Sequence, residues 1–88
     1  MPDGFFEGPP DLAVEVLLPS DRQGEVWRRI ADYVDAGTPL IWVLDPRTQS
    51  ALALPEGAML LIVPRDGVLG GGEVLPGFAV PLREIFEA

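Results

Sequence analysis

Two apolar runs separated by one amphipathic stretch constrain this chain more than any other feature. Leu12 to Leu18 is apolar except for Glu15 and lies between Pro10 and Pro19. Leu40 to Leu44 is wholly apolar and stops at Asp45 and Pro46. Short apolar runs bounded by such residues read as strands buried on both faces, as in a parallel sheet. Between them Val26, Ile30, Tyr33 and Val34 recur at i, i+4, i+7 and i+8, one apolar helix face with Trp27 at its edge. Ser20 or Asp21 can cap that helix at its start. Gly37 ends it as a left-handed cap, and Pro39 prevents its resumption. The pattern predicts a βαβ unit: parallel strands over 12–17 and 40–45 joined by a right-handed crossover helix over 24–36.

The remaining residues read as a meander. After a turn from Pro46 to Gln49, Ala51–Leu54 and Ala58–Val63 fit antiparallel strands joined through Pro55, Glu56 and Gly57. Arg65, Asp66 and Gly67 mark a further turn, and the glycines at 70–72 read as a flexible joint. Leu82 to Phe86 forms a short terminal helix docked by Leu82, Ile85 and Phe86. Residues 1–10, with three prolines and two glycines, suggest an extended lead-in. The 88 residues are expected to form one α/β domain, the size suiting no more than that.

Composition excludes many chemistries. No Cys means no disulfide, thiolate nucleophile or Cys zinc site. No His removes the Ser-His-Asp triad and every histidine ligand. The basic residues are all arginine (Arg22, Arg28, Arg29, Arg47, Arg65 and Arg83), so there is no Schiff-base or phosphate-loop lysine. Fourteen acidic residues against six basic ones give a net charge of −8, which opposes a nucleic-acid backbone and reads as a solvated acidic surface. The apolar runs are far shorter than the roughly 18 residues that span a bilayer. No basic stretch precedes an apolar one at the N-terminus, so the expected setting is the cytoplasm, with no membrane partner.

Four segments resemble one known family. Pro9, Pro10, Asp11, Leu12 leads into Val14, Glu15, Val16 and then Pro19, Ser20, and this is similar to the signature strand of the Uma-two family. Asp32, Tyr33, Val34, Asp35, Ala36, Gly37 matches its helix end, and Leu40 to Pro46, with Trp42, its following strand. Glu73 to Phe78, followed by Pro81 and Leu82, resembles its closing motif. The order and spacing agree from residue 5 to residue 88.

The resemblance implies a branch of the PD-(D/E)XK nucleases and a truncated restriction-endonuclease-like mixed sheet, with one βαβ crossover helix and a C-terminal antiparallel meander. In such proteins an Asp and an acidic residue on the next strand hold one or two Mg²⁺, and a nearby Lys serves the attacking water. Glu15 matches the acidic position, and the backbone carbonyl of Val16 the additional metal ligand. Leu17 stands where the lysine often sits. The family's displaced lysine corresponds to Arg29, which keeps the charge but cannot act as a base. Leu18 stands where the family usually has Ser.

The motif Asp has no matching position. Asp11 lies only four residues from Glu15, about 13 Å along a strand, too far to share one ion. Asp3, after Pro2, has an acceptable separation but no strand-like setting. Read from the residues alone, Glu15 in an apolar strand is a ligand, the partner of an arginine, or a group at a wet edge. Asp11 and Asp45 read as strand-end turn formers, and Trp27 and Trp42 as core or interface rather than base-stacking platforms. The expectation is an endonuclease-like protein with catalytic Glu15 and Arg29, an incomplete Mg²⁺ site at Glu15 and Val16, and DNA as a partner by resemblance only. The alternative is a non-catalytic interaction module that forms a homo-oligomer, as a dimer, through the bared sheet.

Overall fold

The structure is a computed structural model that describes residues 10–87. Strand β1 (Leu12–Val16) leads to helix α1 (Gln23–Asp35), then to β2 (Leu40–Asp45), β3 (Ser50–Pro55) and β4 (Leu61–Val63). A two-stranded antiparallel sheet of β5 (Val68–Gly70) and β6 (Ala79–Pro81) follows, and α2 (Leu82–Glu87) closes the chain. The main sheet has the order β1-β2-β3-β4. β1 and β2 are parallel, with Leu12 opposite Leu40 and Val16 opposite Leu44, as the βαβ pattern requires. β2–β3 and β3–β4 are antiparallel. The expected mixed α/β sheet and its meander are therefore present.

Helix α1 packs Val26 and Ile30 onto Ala13, Ile41 and Val43, one of two cores. Its C-terminus is a Schellman motif: Gly37 N–H donates to the Val34 carbonyl and Thr38 N–H to the Tyr33 carbonyl, both at 3.0 Å. Gly37 adopts φ 85°, a conformation that costs glycine nothing. On the opposite face Leu40, Trp42, Ala51, Ala53 and Val63 are covered by Leu69 and Leu82. Trp42 lies against Phe78 with ring centroids 5.3 Å apart.

Four expectations change. β1 is not buried on both faces. Val14 and Val16 are exposed, because the layer formed by β5, β6 and α2 stops over β2 and β3. The strand expected over 58–63 shrinks to Leu61–Val63, since Ala58 N–H donates to the Pro55 carbonyl and holds the turn open longer. Neither Ser20 nor Asp21 caps α1. The N-cap residue is Arg22 without a side-chain bond, while Asp21 Oδ2 accepts from Leu18 N–H at 2.8 Å and closes the preceding turn. The glycines at 70–72 are no loose joint: Gly70 belongs to β5, and Gly71 is buried where a Cβ would stand 2.5 Å from that of Leu75. Asp3 and most of the expected lead-in lie outside the described residues.

Candidate functional site

Glu15 points to the helix-covered face of β1, between Ala13 and Leu17. Alternation along a strand dictates this, because Ala13 packs beneath α1. Arg29 lies on α1, one residue before Ile30, and its side chain crosses back to the strand. Its Nε donates to Glu15 Oε1 at 3.2 Å and Oε2 at 3.3 Å, and its Nη2 donates to Oε1 at 2.9 Å. The side chains are unequally exposed, 11% for Glu15 and 48% for Arg29. The hydrogen bonds to Glu15 push the Arg29 guanidinium above its ordinary range; partial desolvation opposes this, and the charges of Glu15, Asp21 and Glu25 add to it. The result is a fixed cation with donors left over for solvent or a ligand.

The structure thus brings together Glu15 and Arg29. It leaves the other candidates apart. Asp11 is exposed just before β1, and Asp45 Oδ1 accepts from Arg47 N–H at 3.0 Å in the turn after β2. Trp42 is core, whereas Trp27 is half-exposed on α1.

Among the described residues the donor set is incomplete for Mg²⁺. The ion requires near-octahedral oxygen coordination, supplied by carboxylates and waters. Both oxygens of Glu15 already accept guanidinium protons, and among the described residues no three His, Cys, Asp or Glu side chains are grouped to hold an ion. The Val16 carbonyl alone cannot complete a shell.

A feature that sequence reasoning passed over lies at the carboxyl ends of β1 and β2. A crevice of about 310 Å³ opens there between Leu17, Leu18, Asp21, Trp27, Asp45 and Arg47. Its signal in the sequence is that both parallel strands end in turn chemistry on the same side of one helix, where ligands of open α/β sheets commonly sit.

This mixed sheet with its crossover helix has a counterpart in fold among solved structures. The crystal structure of a putative nuclease belonging to DUF820 from Anabaena variabilis ATCC 29413 superposes with a TM-score of 0.81 at 20% identity. The match covers 93% of this chain and 46% of that one, so the chain spans about half the length of that protein. The fold is nuclease-like. The family model Uma2, described as a putative restriction endonuclease, matches residues 2–83, and the chain belongs to that family. Comparison with curated proteins gives no match. Family and fold together define an endonuclease-like protein. Among the described residues no helix is long and apolar enough to cross a membrane.

Proposed function

We propose that this chain is a DNA-directed protein of the endonuclease-like class in which Glu15 orients Arg29 toward a phosphodiester, and that these 88 residues do not hydrolyse DNA alone. The reading is carried by the Glu15–Arg29 clasp. A carboxylate held by three guanidinium hydrogen bonds serves as an anchor, and the exposed guanidinium keeps free donors suited to a phosphate oxygen. DNA enters as the ligand class from the family, not from the charge, since −8 opposes it. Arginine has no basic nitrogen available to activate water. Missing transition-state stabilisation commonly costs about 10²–10³ in rate per donor, and among the described residues no three His, Cys, Asp or Glu side chains are grouped to hold an ion.

The test is incubation with plasmid and single-stranded DNA in Mg²⁺ or Mn²⁺, beside Glu15→Ala and Arg29→Ala. The expected result is no cleavage above buffer. Metal-dependent nicking that vanishes in Glu15→Ala would overturn the reading and restore Glu15 as a metal ligand.

A second reading is self-association, with the protein acting as an interaction module. It is favoured by a run of exposed apolar side chains: Met59 82%, Leu60 44%, Leu61 55% and Ile62 73%. Isolated exposed apolar residues are ordinary, but here four fall in succession along one sheet edge, Leu61 and Ile62 on its opposite faces, and an uncharged apolar edge of this kind marks a contact.

A further inference from the structure

We infer that two copies of this chain join edge to edge through β4, making one continuous sheet in the order β1-β2-β3-β4-β4′-β3′-β2′-β1′. The inference rests on the self-association reading and adds which surface is used.

Among the described residues the main sheet ends at β1 and at β4, and these two edges are built differently. Proteins blunt an edge strand with charges, prolines, bulges or an inward-pointing charged residue. β1 carries such a device, because Glu15 points inward and is tied to α1. β4 carries none. From Gly57 to Val63 there is no charged residue, and Pro64 comes only after the strand ends. Among the described residues its outer backbone N–H and C=O groups have no strand partner.

The occupant is a second copy for two reasons. An antiparallel edge is self-complementary about a two-fold axis, so the same donors and acceptors meet their match in an identical strand. Charge points the same way. A copy bearing −8 is repelled by most of this surface, and the uncharged stripe is where it can approach without meeting like charge. A strongly basic partner would seek the carboxylates instead. Beside the strand a groove of about 210 Å³, lined by Val34, Leu54, Ala58 and Leu60 with Glu56 as its one charged residue, offers room for an apolar side chain from across the axis.

The experiment is sedimentation or light scattering across the micromolar range on the 88-residue protein and on Ile62→Arg, Met59→Arg and Val14→Arg, all at exposed positions. The wild type should have twice the 9.5 kDa monomer mass. Ile62→Arg and Met59→Arg should weaken association by about 100-fold or more, placing like charges across the axis, while Val14→Arg on β1 leaves it intact. Met59 lies outside the strand, so it tests the contact even where the Ile62 change perturbs folding. A wild-type monomer throughout overturns both the self-association reading and this inference. A dimer that survives both Ile62→Arg and Met59→Arg overturns the choice of edge, and dissociation with Val14→Arg would move the contact to β1.

Discussion

The two halves of the main sheet are covered on opposite faces. Over β1 and β2 the helix seals one side, with Ile41 and Val43 buried beneath Val26 and Ile30. Over β2 and β3 the small sheet and α2 seal the other, with Leu69 and Leu82 against Leu40, Trp42 and Ala53. β2 is the most fully covered strand, with four of its six residues buried, and β3 feeds both cores, Ala51 and Ala53 on one face and Leu52 and Leu54 on the other. Each outer strand therefore has a bare face, Val14 and Val16 on one side of the sheet and Ile62 on the other. A chain this short has one long helix, and one helix about 10 Å wide cannot shield four strands spaced roughly 4.8 Å apart. What distinguishes the bare edges is chemistry. β1 is pinned by an ion pair, whereas β4 has nothing but hydrocarbon.

The largest effect should come from weakening the covered half. Ile30→Ala, at a residue 3% exposed, should cost about 2–5 kcal/mol of folding stability by leaving a cavity between helix and sheet. Ile62→Ala, at a residue 73% exposed, should cost less than about 0.5 kcal/mol when measured at concentrations where the protein is monomeric. Urea unfolding of both variants checks the pair. Equal losses would break the comparison, because Ile62 would then be packed within a single copy.

A smaller effect sharpens the account of the β1 edge. Arg29→Ala leaves a nearly buried carboxylate without its donors, an unfavourable state. Glu15→Gln leaves a half-exposed guanidinium that water can solvate, and a side chain that still accepts a hydrogen bond. Arg29→Ala should therefore lower the unfolding midpoint more than Glu15→Gln, and the double variant should lose less than the two singles together. Equal, additive losses would make the clasp an ordinary surface contact of little worth.

Much of this fold was legible because its signals are local. The apolar runs at Leu12–Leu18 and Leu40–Leu44, the helical spacing from Val26 to Val34 and the stop at Gly37 each act within a few residues, and together they give the βαβ unit. The misreadings share a cause. Whether Val14 and Val16 are covered depends on where β5, β6 and α2 come to rest, more than fifty residues later in the chain. Gly71 looks like a linker residue until Leu75 and Phe78 close on it. At the site, Glu15 and Arg29 could both be named from the resemblance, but their direct hydrogen bonding required the helix to lie over the strand in one particular rotation. Sequence reasoning left Glu15 among three settings, and the geometry places it with an arginine.

The smallest expected effect is a flat line, and it tests the character of the clasp. A cation whose folded-state pKa is raised contributes stability that is fully present below its unfolded pKa and lost only as pH rises through the folded one. For Arg29 the shift is upward from an already high value, because the hydrogen bonds to Glu15 outweigh partial desolvation. Its whole titration window thus lies in strong alkali. Ionisable groups common to wild type and Arg29→Ala largely cancel when the two are compared. The stability difference between them should therefore stay constant from neutral pH to about pH 10. Arg29→Lys supplies the contrast, since a lysine there loses its proton from about pH 10.4 upward unless its site shifts it. That variant should weaken relative to wild type as pH climbs toward 11, a range in which arginine is still charged. Guanidine-free urea titrations at stepped pH would show it. A slope in the Arg29→Ala comparison below pH 10 would mean that the clasp owes its strength to a group other than the Arg29 cation.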